Sequence, residues 1–296
     1  MKITTLVISG ASSKAPIYIG ICKCLLEHSI INETLDGISE IVTCSIGIVF
    51  TLYMICNISI SVQEKTALEM DFLKLLNIDD LKIDNLLFEN GLFDNHKIVS
   101  LVKSILIHKF KKPDITLKEL YDYKPIKVVV KCINVTKGFN EYISYENYPN
   151  LSVLTLLQMT TAIPIFFKPI SYNDCLYVDG GLTGGFPIEC VTDNYLGFNI
   201  QTNTTSSDNP LNDIPFVKFL YELLKIKTVN YEDYPQEKII NYISNIHFTN
   251  FNISEIQKKE LIQLGYEITK QHIETYKITN DLFNERPEDS DPTETI

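Results

Sequence analysis

Apolar positions along the chain switch between two spacings. Residues 3–9 form a short β-branched, apolar run that stops at Gly10, and residues 10–16 read as a turn. From Ile17 to His28 the apolar side chains Ile17, Ile21, Cys24 and Leu25 recur at helical spacing. The order then repeats, with a strand over Glu40–Thr43 and a helix over Ile46–Met54. Strand, turn and helix, twice over, predict parallel strands joined by crossover helices. Residues 62–125 read as a mostly helical segment. Leu68, Phe72, Leu75 and Leu76 form one stripe there, and Ile98, Leu101, Val102, Ile105 and Leu106 another, parted by a turn at Glu89-Asn90-Gly91.

Strands return at Ile126–Ile133 and Phe139–Ser144, joined as a hairpin through Thr136-Lys137-Gly138. Residues 151–160 predict a helix that ends before Pro164. Cys175–Val178 follows as a strand, Asp179-Gly180-Gly181 as a tight turn, and Leu196–Ile200 as another strand. Residues 211–279 read as a C-terminal helical region, with helices over Phe216–Lys227 and Ile253–Lys277. Residues 284–296 are acidic and broken by proline, the composition of a disordered tail. The pattern as a whole predicts a single three-layer α/β domain over residues 1–283, with a mixed central sheet flanked by helices.

Composition narrows the classes of function. A formal net charge of -11 over 296 residues argues against nucleic acid as a partner, because such binding needs a basic face. The same charge disfavours electrostatic docking on an anionic membrane, so peripheral contact with lipid would have to use apolar side chains. Seven cysteines are scattered without a CxxC pair, which suggests neither a zinc site nor a redox motif; no metal or cofactor is expected. They read as small buried hydrophobes in a reducing, cytoplasmic setting. The N-terminal apolar run is too short for a signal peptide and leads straight into the Gly10 turn. Between Glu40 and Glu64 no charged residue occurs, a length that could cross a bilayer. Thr43, Ser45, Gly47, Thr51, Asn57, Ser59 and Ser61 dilute that stretch, and it divides naturally into strand, turn and helix.

Three motifs carry candidate chemistry. In Thr43-Cys44-Ser45-Ile46-Gly47 a serine stands between a strand and a helix, the place of a nucleophile elbow, with Gly47 allowing close approach of helix to strand. The helix after it would aim its positive N-terminus at a developing oxyanion. Gly10-Ala11-Ser12-Ser13-Lys14-Ala15 follows the first strand and opens onto a helix, so its backbone N–H groups suit an anion or oxyanion; it lacks the endings of a nucleotide loop. In Tyr177-Val178-Asp179-Gly180-Gly181 a carboxylate ends a strand beside two glycines, and partial burial there would raise its pKa toward a useful general base. Each motif alone is compatible with an ordinary turn. A Ser-His-Asp arrangement would have to recruit His247 or His272; His272 lies on a polar helical run, where a solvated position is expected.

Taken together, and with Thr161-Ala162-Ile163-Pro164-Ile165-Phe166-Phe167-Lys168-Pro169 upstream of the aspartate, residues 3–190 resemble the patatin-like phospholipase family. The resemblance implies Ser45 as nucleophile and Asp179 as its partner. It further implies an oxyanion hole from Gly10, Ala11, Ser12 and Lys14, with Gly47, Gly180 and Gly181 shaping the turns. It implies a phospholipase A-type acyl hydrolase acting on phospholipid or other acyl-lipid substrates. The family loop G-G-G-x-[KR]-G is here Gly10-Ala11-Ser12-Ser13-Lys14-Ala15, and the elbow glycine is Thr43. Those departures raise a second expectation, a catalytically impaired scaffold that binds lipid or protein.

Overall fold

The computed structural model describes residues 3–76, 88–192, 194–203, 231–247 and 250–278. The helix expected over Phe216–Lys227 and the acidic tail lie outside these residues. The strands are β1 (Thr5–Ile8), β2 (Glu40–Cys44), β3 (Gly91–Phe93), β4 (Lys127–Asn134), β5 (Phe139–Ile143), β6 (Ile165–Phe167), β7 (Ile170–Tyr172), β8 (Cys175–Asp179), β9 (Tyr195–Thr202) and β10 (Ile239–Ser244). The helices are α1 (Ile17–Glu27), α2 (Gly47–Ile55), α3 (Ile60–Glu69), α4 (Phe72–Leu76), α5 (His96–Phe110), α6 (Leu117–Tyr123), α7 (Val153–Thr160) and α8 (Glu255–Tyr276).

One mixed sheet organises them, in the order β10-β9-β1-β2-β4-β8-β7, with β5 also paired to β4. Strands β10, β9, β1, β2 and β4 are parallel, while β5, β7 and β8 join antiparallel. Strands covered on both faces need apolar side chains in both directions, which is why β1 and β2 read as apolar runs rather than alternating ones. Leu6, Ile8 and Ile41 enter the large core shared with the helices. Val7, Val42 and Val129, opposite one another in register, instead pack with Phe186, Ile188 and Ile239 on the other face.

Two parts of the expectation are corrected. The mostly helical 62–125 segment also holds one short strand that the reading did not include: Gly91–Phe93 pairs in parallel with Ile165–Phe167 as a second, two-stranded sheet. The first stripe is also divided, since the chain leaves the helix at Met70 before α4 begins. The C-terminal region is not all helix either, because β10 pairs in parallel with β9 along Ile239–Ser244. Within the uncharged stretch, α2 has nine residues and lies in the core, and no helix among the described residues is long and apolar enough to cross a membrane. All seven cysteines are free, six buried and Cys190 exposed.

Among the described residues α8 is the longest helix, started by a reciprocal capping box between Ser254 and Gln257 and ended by Lys277 in the left-handed conformation. It crosses α1 at backbone contact. A Cβ on Gly265 would stand 2.1 Å from the Ile17 carbonyl oxygen, and one on Gly20 would stand 1.8 Å from that of Ile262. Neither carbonyl can retreat without moving its helix. Gly265→Ala is therefore expected to force the two helices apart and to cost about 1–3 kcal/mol, read as a lower midpoint in thermal unfolding followed by circular dichroism.

Candidate active site

β2 ends at Cys44 and α2 starts at Gly47, so only two residues make the turn between them. Ser45 takes φ +53°, a left-handed conformation that costs a side-chain-bearing residue strain and is held by what surrounds it. Its N–H donates to Thr160 Oγ1 at 2.8 Å, and that hydroxyl donates onward to the Lys131 carbonyl at 2.9 Å. Thr43, where an elbow glycine was absent, is buried and donates its hydroxyl to the Ile8 carbonyl at 3.0 Å. Gly47 makes that possible. A Cβ at Gly47 would lie 2.4 Å from Thr43 Oγ1 and 2.7 Å from the Ser9 carbonyl oxygen. The side chain missing at one position thus accommodates the one present at the other.

The register of β4 brings the aspartate to this turn. Cys44 stands opposite Lys131, and Asp179 opposite the next residue, Cys132. Ser45 Oγ donates to Asp179 Oδ2 at 2.6 Å, directly, with no imidazole between them. Asp179 Oδ1 accepts the Gly181 N–H at 2.7 Å and lies 3.8 Å from Cys44 Sγ. Gly180 must lack a side chain here, since a Cβ would meet the Lys131 carbonyl oxygen at 2.6 Å. The Asp179 N–H donates to the Ala162 carbonyl at 3.0 Å, tying the start of the proline-bearing segment to the turn. Asp179 is 3% exposed, and burial pushes its carboxyl up to about 6, against the lowering effect of its hydrogen bonds to Ser45, Gly181 and Cys44 and of the nearby Lys131 charge.

The loop after β1 lies against the serine: a Cβ on Gly10 would sit 3.1 Å from Ser45 Cβ. Its members occupy different places. The Gly10 N–H donates to the Gly185 carbonyl at 2.8 Å, so Gly10 supplies close approach and joins the loop to the segment after Asp179. Ala11 is buried, and Ser12 takes φ +50°. Lys14 is buried, its ammonium donating to Thr202 Oγ1 at 2.9 Å and to the Ile246 carbonyl at 3.3 Å. Burial pulls its pKa down to about 7, and it fastens the loop to the ends of β9 and β10.

His272 is corrected from a solvated position to a buried one, with Nε2 at 2.9 Å from the Glu237 carbonyl, and burial lowers its pKa. His247 lies beyond the end of β10. Among the described residues no group of three His, Cys, Asp or Glu side chains is arranged to hold a metal ion. A small apolar cavity of about 50 Å³ lies among α1, α2, α3 and α4, lined by Ala15, Pro16, Ile46, Val49, Phe50 and Phe72 among others. Ala15 ends the loop and Ile46 directly follows the serine.

Sequence reasoning missed Thr160, Lys131 and Glu189. Thr160 gave no signal, being one polar residue at the end of a predicted helix. Lys131 did give one: it is a lone charge inside Val128-Val129-Val130-Lys131-Cys132, an otherwise apolar strand.

Comparison with known proteins was made against this geometry. Residues 6–191 match the family described as Patatin, patatin-like phospholipase. A protein of Invertebrate iridescent virus 6, "Probable lipid hydrolase 463L", is 31% identical over 187 residues, covering 62% of this chain and 62% of the viral protein. VipD from Legionella pneumophila superposes with a TM-score of 0.62 at 16% identity, over 93% of this chain and 67% of VipD. The type III effector protein ExoU superposes with a TM-score of 0.52 at 11% identity, over 93% of this chain and 54% of ExoU. At those identities the two superpositions speak for the fold. The chain spans less than two thirds of the viral relative's length.

Proposed function

The chain belongs to the patatin-like phospholipase family, and from that premise we propose that it is a serine-dependent acyl-lipid hydrolase working through a Ser45–Asp179 dyad. One observation carries the reading: the 2.6 Å hydrogen bond from Ser45 Oγ to Asp179 Oδ2, on a serine held at positive φ. Asp179 takes the Ser45 proton as the oxygen attacks an ester carbonyl. The negative charge that develops on the carbonyl oxygen is assigned to loop amides at Ala11 and Ser12 and to the positive N-terminus of α2. Gly10 and Lys14 hold that loop in place by the hydrogen bonds described above. Collapse of the tetrahedral intermediate expels the alcohol, which leaves with the proton from Asp179. Water, deprotonated by the same carboxylate, then releases the fatty acid and restores Ser45. Membership of the family supports an acyl substrate, phospholipid or another acyl lipid, brought to the site by peripheral contact with a membrane.

A second reading, a lipid- or protein-binding scaffold with impaired turnover, is favoured by one observation: the Gly10 N–H is already committed to Gly185. Hydrolysis of a fluorogenic short-chain ester and of a labelled phospholipid, beside Ser45→Ala, separates the two. Turnover above the Ser45→Ala background on either substrate is expected. Equal rates for both proteins would establish the scaffold instead.

A further inference from the structure

We propose that Lys131 is the positioning residue of this site, fixing the Asp179 turn and the Ser45 elbow relative to each other from a buried place beneath both. The proposal rests on the Ser45–Asp179 reading above. Lys131 is 0% exposed in the middle of β4. Its ammonium donates to Glu189 Oε1 at 2.7 Å, to the Gly184 carbonyl at 2.9 Å and to the Thr183 carbonyl at 3.4 Å. Tyr142 donates its hydroxyl to the same Glu189 oxygen. All three acceptors belong to the stretch that follows Asp179-Gly180-Gly181. The side chain therefore ties the end of the turn back to the strand on which Asp179 is paired.

The backbone of the same residue serves the other half of the site. The Lys131 carbonyl accepts the Thr160 hydroxyl, whose oxygen accepts the Ser45 N–H, and the Cα of Gly180 rests against that carbonyl. One residue thus touches the nucleophile's amide through Thr160 and the aspartate's turn through its own side chain. Packing does not explain the choice. A buried ion pair contributes little stability compared with apolar side chains of similar volume, and the second oxygen of Glu189 is buried without a hydrogen-bond partner. What the pair supplies is direction, plus a positive charge that lowers the Asp179 carboxyl against its burial. The other groups about Asp179 are Ser45 and Cys44 from the elbow, Cys132 from β4, and Glu189 beyond Lys131.

The test uses the full chain and the ester assay above, with Lys131→Met, which keeps the stem, and the double variant Lys131→Met/Glu189→Gln, which removes both charges. Turnover number, KM, the pH profile of kcat/KM and thermal unfolding are measured for each. Lys131→Met is expected to lower kcat about 10- to 100-fold with little change in KM, the range for a slightly misplaced reacting group. Its acid limb should move up, because Asp179 has lost a nearby cation that lowers its carboxyl. The double variant should regain thermal stability without regaining kcat. A neutral double variant with wild-type kcat and an unmoved acid limb would overturn the proposal, leaving Lys131 as core filling. Should Lys131→Met not fold, the double variant decides alone. A wild-type chain without Ser45-dependent turnover removes both this inference and the reading beneath it.

Discussion

Asp179→Asn is expected to abolish ester hydrolysis and, in the same protein, to raise thermal stability at neutral pH. Both effects come from the burial that makes Asp179 useful. Asparagine can still accept the Gly181 N–H, so the turn should survive, but it cannot take the Ser45 proton. In Ser-His-Asp enzymes losing the orienting aspartate costs roughly 10⁴-fold in kcat and losing the base about 10⁶-fold, and a loss within that range is expected here. Stability follows from the pKa. Burial raises the folded-state carboxyl to about 6 from its ordinary 3.8, so the folded state holds the proton more tightly than the unfolded chain. Stability therefore falls as pH rises through the interval from 3.8 to about 6 and stays lower above it. The ionised form is disfavoured by roughly 3 kcal/mol at neutral pH. A neutral asparagine escapes that cost, so its advantage in thermal midpoint should be full above pH 6 and shrink toward pH 4. A midpoint difference that did not vary with pH would show that the carboxylate is not strained by burial. In the active protein the same titration should place the acid limb of kcat/KM near pH 6, with activity lost as pH falls.

The second large effect is expected at Gly47. Gly47→Ala would set a methyl group 2.4 Å from Thr43 Oγ1, 2.7 Å from the Ser9 carbonyl oxygen and 3.2 Å from that of Ile8. Two of these atoms are backbone at the end of the β1 segment and cannot swing aside. The helix must lift, and the serine before it must move with it. A cost of about 3 kcal/mol follows from overpacking of this kind, or roughly 5–10 °C in thermal midpoint. Activity should fall further than stability, because a displacement of one ångström at the reacting group is enough to lose about 100-fold. Adding Thr43→Ala removes only the side-chain contact. The double variant is expected to recover part of the midpoint and little of the activity, since the Ser9 carbonyl still blocks the way.

The parts of this molecule that could be read from its sequence are those where one physical rule dominates. β1, β2 and the helices after them were legible because strands covered on both faces become apolar runs, and amphipathic helices carry a longer period. Ser45 and Asp179 were singled out by the turns they sit in, whose glycines answer local steric demands that a sequence records. β3, β6 and β7 were missed because each has three residues, too few to show a period, and pairing partners as distant as Gly91 and Ile165 leave no local trace. β10 was absorbed into a helical expectation, although Ile239 and Ile240 are buried as a short strand beside β9. His272 was placed in solvent because its helix looks polar; the fold instead buries the imidazole against the Glu237 carbonyl. The partners of Lys14 and Lys131 come from chain far away in sequence, so the sequence shows the charge and not what neutralises it.

The β1–β9 pairing and the α1–α8 crossing have a consequence for what counts as one unit here. Kinship to relatives is detectable over residues 6–191, yet β1 is flanked on one side by Tyr195–Thr202, and the helix behind the candidate loop is braced by Glu255–Tyr276. Cut at the border of kinship, β1 would become a bare sheet edge and α1 would show its glycine-lined flank to water. The piece that heredity marks out is smaller than the piece that must fold together.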